Sequence, residues 1–346
     1  MSIVDSKVYA DEINRIASEL PIKKGSVLIT GASGLIGSCI IDVLLKANRD
    51  YGSDFVIFAL GRSKEKLQAR FFYAKESIKI IEQNITSPLD NSLRLDYIIH
   101  AASNADPISY ALYPVDTILT NFEGTKNCLE YCKNHTKTRL LFTSTFEVYG
   151  KHEADEYSED DFGAINNNMI RSGYPYSKIL SELLLKSYCK QFNVDAVIGR
   201  LSSIYGPTML NNDSKAHAQF IRNGLHGENI VLKSAGTQKR TYCYVMDAVS
   251  GLLTILFNGK TGEEYNVAND KSIATIAEVA YTVAGICGTK VVFDLPSDIE
   301  KKGFSLSQNC ILKIDKLRAL GWQGKHTLRD GLESTINILR EVDKKC

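Results

Sequence analysis

Long apolar runs are missing from this chain. The stretch Ala248 to Phe257 is among its most apolar, yet Ser250, Gly251 and Thr254 interrupt it and it falls short of the ~20 residues a bilayer crossing needs. No transmembrane segment is expected. An excess of one charge is missing too: 41 Lys+Arg face 40 Asp+Glu, a formal net charge of +1, so no global field draws the protein to nucleic acid or anionic lipid. Cysteine is scarce and irregularly spaced, eight in 346 residues, which excludes a disulfide scaffold and predicts reduced thiols in a cytoplasmic protein. Met1 to Leu20 mixes Asp5, Lys7, Asp11, Glu12, Arg15 and Glu19 among its apolar residues, so it lacks the apolar core of a signal peptide and predicts an amphipathic helix. What is present is ordinary. Hydrophobic residues make up 44% and charged residues 23%, as in globular chains, and at about 150 residues per domain the length suggests two lobes.

The first half alternates β-branched runs with helical patterns, the signature of βαβ units and a parallel sheet. Ser26–Thr30, Asp54–Leu60, Ile78–Gln83, Asp96–Ala102, Arg139–Thr143 and Asp195–Gly199 are the predicted strands. Several are nearly continuous apolar runs, as expected of strands covered on both faces. Val115, Ile118, Leu119, Phe122 and Leu129 recur at helical spacing, so a helix from about Pro114 to Lys133 is expected to lay that stripe on the sheet. Beyond Gly206-Pro207 the pattern loosens. The expected fold is therefore α/β: a Rossmann-type doubly wound sheet over residues 1–205, with 238–257 returning to it, and a smaller α/β substrate lobe over 206–346.

Between the first strand and the following helix lies Thr30-Gly31-Ala-Ser33-Gly34-Leu35-Ile36-Gly37. Three glycines at three-residue spacing allow a sharp turn, close approach of a pyrophosphate and tight helix–strand packing, while the helix N-terminus offers N–H groups to the anion. Gly31, Ser33, Gly34, Leu35, Ile36 and Gly37 are thus candidate cofactor contacts. The second strand ends Ala59-Leu-Gly-Arg62-Ser63, without the carboxylate that commonly holds a ribose 2′-hydroxyl. Arg62 and Ser63 suit a 2′-phosphate, which favours NADP over NAD. Stacking of Arg62 on adenine, or simple exposure to solvent, are the alternatives.

Tyr174-Pro-Tyr-Ser-Lys178 places a tyrosine and a lysine four apart at the start of a helix, on one face, with Pro175 acceptable in the first turn. A phenol with a pKa near 10 is a weak base, and a nearby ammonium lowers that value, so the pair can deprotonate an alcohol. Thr145, just past the strand beginning at Arg139, can hydrogen-bond the same alcohol at the carboxyl edge of the sheet.

With these residues in hand, the chain resembles the extended short-chain dehydrogenase/reductase family, the nucleotide-sugar epimerases and dehydratases. The resemblance spans nearly the whole chain and rests on the glycine turn, His100-Ala-Ala-Ser103, Asn121-Phe-Glu-Gly-Thr125, Tyr174 to Lys178, Arg200-Leu-Ser-Ser203-Ile-Tyr-Gly-Pro207, and Gln238-Lys-Arg240 followed by Tyr244-Val-Met-Asp247. It implies a catalytic Thr145, Tyr174 and Lys178, a cofactor bordered by Ala101, Ala102, Ser103 and Asn121, and a substrate diphosphate met by Arg240. It also implies a homodimer through a helix pair that includes the helix beginning at Tyr174.

The family's opening step is removal of a sugar hydroxyl proton, usually at C4, by the residue matching Tyr174. A 4,6-dehydratase resembles Thr-Asp-Glu where this chain has Thr145-Phe146-Glu147, and Phe146 cannot donate a proton, so dehydration is disfavoured although Glu147 is retained. Arg171-Ser-Gly-Tyr174 and Ser144-Thr-Phe-Glu147 are similar to segments of UDP-glucuronate decarboxylases, which carry Ser at the position of Phe146. Ser203 stands where many relatives have Asn on a sugar-contacting turn. Epimerisation or 4-keto reduction is the first expectation, with Phe146, Arg171, Ser203 and Arg240 lining the sugar nucleotide, and decarboxylation the second. A non-catalytic NADP sensor on the same fold is the rival of another class, though it need not keep Thr145, Tyr174 and Lys178. Cys128, Cys132 and His135 fall on one helical face, but packing explains them better than a metal, and none is expected.

Overall fold

The computed structural model describes residues 2–151, 154–294 and 309–343. Seven parallel strands form the central sheet in the order Glu264–Val267, Asp195–Leu201, Arg139–Thr145, Tyr97–His100, Lys24–Thr30, Asp54–Gly61 and Ile78–Glu82. The direction of winding reverses between Lys24–Thr30 and Tyr97–His100, the switch point at which open α/β sheets bind ligands.

Alternation along the strands divides the core in two. Val27, Ile29, Ile57, Ala59, Ile99, Leu141 and Val197 pack on one face with the helices Leu35–Asp50 and Val245–Asn258. Leu28, Phe58, Leu60, Ile98, Leu140, Phe142 and Ile198 pack on the other with Cys128, Leu129 and Cys132 of Pro114–Asn134 and Leu185 of Gly173–Phe192. The N-terminal segment forms the helix Lys7–Ser18 and buries Tyr9, Ile13, Ile16 and Ala17.

The helix Pro114–Asn134 is where the sequence pattern misleads. Thr117, Asn121, Gly124, Thr125 and Cys128 are buried, whereas Val115, Ile118 and Leu119 face outward, Val115 with 64% of its surface exposed. Asn121 of the inner face meets Ser177 of the helix Gly173–Phe192 and Gly124 meets Ile85 and His100, so the first part of the apolar stripe is left uncovered while its far end, Leu129, is buried against the sheet.

The segment 238–257 returns to the large sheet through its helix and not through its strand. Within 238–257, Lys239–Tyr244 joins a small sheet with Ser203–Tyr205 and Ile273–Thr275, while the helix Val245–Asn258 covers the large sheet. The strand that rejoins the large sheet is Glu264–Val267, pairing with Asp195–Leu201. Further small sheets pair Ile230–Leu232 with Val291–Phe293, and Glu156–Tyr157 with Ile311–Leu312. Seven of the cysteines are unpaired thiols, and Cys346 lies outside the described residues. No described helix is long and apolar enough to cross a membrane.

Asp247 and His326 tie the distant parts of the chain together. The imidazole bridges Asp247 Oδ1 at 3.0 Å and Glu12 Oε1 at 2.8 Å, while Asp247 Oδ2 accepts from the backbone amides of Lys325 and His326. Burial disfavours the imidazolium, but the bonds and charges of Asp247 and Glu12 outweigh it and raise the pKa to about 9. Because this value lies above that of the unfolded chain, near 6.5, the contribution is complete below that pH and is lost as pH rises through about 9. Replacing His326 by Gln is expected to cost about 2 kcal/mol in urea unfolding at pH 6, as for hydrogen bonds to charged groups, and much less at pH 9.5. Equal losses at both pH values contradict the charged clamp.

Candidate active site

The glycine turn lies at the switch point. Gly31 has φ +65°, and a Cβ there would fall 2.8 Å from the Ala101 carbonyl oxygen; one on Gly37 would fall 2.5 Å from the Gly31 oxygen. Side chains are therefore excluded where the turn, the helix Leu35–Asp50 and the strand Tyr97–His100 converge. No side chain caps that helix at Gly34, so its opening amides, including those of Leu35, Ile36 and Gly37, remain to meet an anion. Ser33 lies within the same turn. A narrow turn, a bare helix end and its place at the sheet's reversal fit the pyrophosphate of a dinucleotide.

Hydrogen bonds fix the facing segment. Thr30 Oγ1 lies 2.8 Å from His100 Nδ1 and accepts from the Ala102 amide at 3.1 Å. His100 is wholly buried and stacked on Phe142; burial and the Lys178 charge lower its pKa to about 3, so it is a neutral packing residue. Ser103 Oγ donates to Asn121 Oδ1, Asn121 Nδ2 to Ser177 Oγ, and Ser177 Oγ to the Tyr174 carbonyl. Asn121 thus joins the Ala101–Ser103 segment to the helix bearing Tyr174. Arg62 is exposed just beyond the second strand, and Ser63 Oγ caps the next helix by accepting from the Lys66 amide at 3.2 Å.

The strand Arg139–Thr145 runs two residues further than its sequence signal, placing Thr145 at its last position. Tyr174 lies in the first turn of Gly173–Phe192 and Lys178 one turn on, both buried. The Tyr174 ring stacks on that of Tyr110, and its hydroxyl neighbours the side chain of Thr145. The phenol's acidity differs from the sequence expectation: burial and the Glu147 charge push its pKa well up, opposed by the neighbouring Thr145 and Tyr110 hydroxyls and the Arg171 charge. Lys178 Nζ donates to the Thr143 carbonyl at 2.9 Å and lies over the Phe142 ring, and burial pushes its pKa down to about 7. With no solvent around it, the ammonium is itself destabilised.

Glu147 is held by Arg171 through two bonds of 2.8 and 3.1 Å. Arg171 also covers Tyr110, whose ring stacks on Tyr174 with centroids 4.4 Å apart and planes at 20°. Nothing in the spacing of Ile108-Ser-Tyr110 singled out that residue, because its role arises from a contact across 64 positions of chain. Towards the smaller sheet, the Arg240 guanidinium sits over Phe146 at 5.6 Å, and its Nε has no hydrogen-bond partner among the described residues. Ser203 pairs in register with Tyr242, two residues beyond Arg240. The structure therefore arrays Thr145, Phe146, Glu147, Arg171, Tyr174 and Lys178 together, with Arg240 on the neighbouring lobe. Cys128 and Cys132 are buried in the helix-covered core, His135 stacks on Tyr131, and no metal-binding cluster occurs among the described residues.

A doubly wound parallel sheet with a glycine turn at its switch point defines a dinucleotide-binding protein, and the buried Thr, Tyr and Lys at its edge suit an oxidoreductive enzyme. The chain belongs to the NAD dependent epimerase/dehydratase family, whose model matches residues 27–268. It is 33% identical over 326 residues to UDP-glucuronic acid decarboxylase 6 of Arabidopsis thaliana, covering 92% of this chain and 91% of that one. It is 30% identical over 319 residues to UDP-glucuronic acid decarboxylase 1 of Xenopus tropicalis, covering 91% and 72%. The fold is shared with UDP-glucuronic acid 4-epimerase of Bacillus cereus, with TM-score 0.77, 24% identity and coverage of 92% and 99%.

Proposed function

We propose that this enzyme oxidises or reduces a nucleotide-bound sugar at C4, with epimerisation or reduction of a 4-keto sugar as the net reaction. The observation that carries this reading is the meeting of the Tyr174 and Thr145 hydroxyls in a dry site beside the sheet's switch point. Tyr174 Oη takes the C4 hydroxyl proton while Thr145 Oγ1 holds the same oxygen. Lys178 stabilises the resulting phenolate when protonated and fixes the helix through Thr143. Gly31, Ser33, Gly34, Leu35, Ile36, Gly37, Ala101, Ala102, Ser103 and Asn121 surround the dinucleotide; its nicotinamide, when bound, supplies the redox chemistry. Arg240 binds the diphosphate, and Phe146 and Ser203 shape the sugar pocket.

Decarboxylation of UDP-glucuronate is the second reading, supported by the 33% identity to a plant decarboxylase and by the retained Glu147 and Arg171. Two features favour the first. Phe146 offers no polar contact to a sugar carboxylate, and Arg171 already has its guanidinium engaged by Glu147. Purified protein given UDP-, CDP- and dTDP-sugars, with NAD or NADP, is expected to yield an isomer or a reduced sugar by mass spectrometry. Tyr174→Phe should lose roughly 10²–10⁴-fold of that turnover. Carbon dioxide release from UDP-glucuronate, with no other sugar transformed, establishes the second reading instead.

We further propose NADP as the preferred dinucleotide, because exposed Arg62 occupies the place of a ribose-binding carboxylate. Arg62→Ala should weaken NADP binding about tenfold and leave NAD unchanged in fluorescence titrations, as for loss of one charge-assisted bond. Tighter binding of NAD than NADP by the unaltered protein overturns the assignment.

The uncovered side of the paired helices supports a homodimer. Val115, Ile118 and Leu119 lie exposed on one helix, with Tyr176, Leu180 and Leu183 exposed on its neighbour, an apolar band suited to a second copy across a two-fold axis. Sedimentation velocity should give a dimer, and Leu183→Glu should shift it to monomer while the circular dichroism spectrum stays unchanged. A monomeric unaltered protein at micromolar concentration excludes this interface.

A further inference from the structure

We propose that Phe142 is a positioning residue for Lys178: its ring face receives the buried ammonium and, together with the Thr143 carbonyl, keeps that group charged and in place. This rests on the reading of Lys178 as the group that stabilises the Tyr174 phenolate.

Lys178 is 2% exposed, so its ammonium has lost nearly all its water and needs direct partners. One is the Thr143 carbonyl, which accepts from Nζ at 2.9 Å. The other is the Phe142 ring, whose centroid lies 4.7 Å from Nζ. The negative face of an aromatic ring attracts a cation at this range, most strongly where neither is in water. Phe142 and Thr143 are successive residues of the strand Arg139–Thr145, so one short piece of chain presents both partners.

The surrounding charges are committed elsewhere. Among the described residues no carboxylate forms an ion pair with Lys178. Glu182, one turn further along the same helix, favours the ammonium but is held by Arg200 of the strand Asp195–Leu201. Glu147, in the turn after Arg139–Thr145, is held by Arg171, in the turn before the helix Gly173–Phe192. Tyr174 stands one turn back, and the buried face of Pro114–Asn134 brings only the Cys128 and Cys132 thiols and the Tyr131 phenol, which burial drives towards neutrality.

The ring is itself fixed. Phe142 is wholly buried and pairs in register with His100 of the neighbouring strand, their rings stacked at 5.7 Å and 26°. His100 is neutral, so it adds no positive charge against the ammonium. Leu140 fills the same side of the sheet with an aliphatic side chain, so packing alone does not call for an aromatic at 142. Burial brings the Lys178 pKa down to about 7, where a small loss of support discharges the group.

Phe142→Leu keeps an apolar side chain and removes the ring face. Trifluorophenylalanine at position 142 keeps the ring's shape and weakens its negative face. In protein carrying ¹³Cε-lysine, the signal missing from Lys178→Met identifies Lys178, and its titration midpoint should fall by about one pH unit in Phe142→Leu and by less, in the same direction, in the fluorinated protein. At the pH of the unaltered midpoint, that fall leaves about a tenth of the group charged instead of a half, so kcat should drop roughly fivefold while KM changes much less. A midpoint that stays put in the fluorinated protein overturns the role of Phe142, whether Phe142→Leu moves it, fails to fold or leaves it unchanged. A midpoint that falls in both, in a protein that turns over no nucleotide sugar, upholds the contact and defeats the C4 reading alone.

Discussion

The architecture depends on one close approach, that of the Gly31 turn to the Ala101–Ala102 backbone. Two neighbouring parallel strands send their helices to opposite faces at this point, and the space between their carboxyl ends is too narrow for a Cβ. The missing side chain lets the helix Leu35–Asp50 begin at the sheet edge with its amides open. The same edge receives the end of Arg139–Thr145, and hence Thr145. Thr30, His100 and Ala102 close the seam with hydrogen bonds between the two strands. Once the seam is set, the glycine turn and Thr145 lie at the same edge of the sheet, separated by the strand Tyr97–His100.

The second organising condition is dryness. Tyr174, Lys178, Tyr110 and His100 are all buried, and each is driven towards its neutral form by loss of water. Charge in this region survives where it has a direct partner, as in the Glu147–Arg171 pair. Such a site is poised: modest changes in hydrogen bonding, or a positive charge arriving nearby, alter the proton affinity of Tyr174 far more than they would in water.

The smaller lobe is built from short strands rather than an independent sheet, and it is stabilised by its attachment to the larger one. The strand Glu264–Val267 and the helix Val245–Asn258 belong to the large sheet in space but follow the Arg240 strand in sequence. His326 adds an ionic bridge from the C-terminal segment to the first helix through Glu12 and to the Val245–Asn258 helix through Asp247. Interleaving of this kind carries Arg240 to the Phe146 ring, next to Thr145 in the chain.

The sequence by itself determined the doubly wound sheet, the glycine turn and the placing of Tyr174 and Lys178 one turn apart on a helix. These signals are local: strand hydrophobicity, a fixed glycine spacing and a four-residue step on one helix follow from backbone geometry. Tertiary structure alone decided which side of Pro114–Asn134 is buried at its start, since Asn121 is drawn inward to Ser177 and Gly124 to Ile85 and His100 while Val115 and Ile118 are left outside. It also decided the state of Tyr174. Spacing gave the phenol an ammonium neighbour, but only the packed site could show Lys178 turned to a backbone carbonyl and a second tyrosine stacked on the first. Proton affinity is set by burial and by contacts between residues far apart in the chain, and a pattern of neighbours cannot encode either.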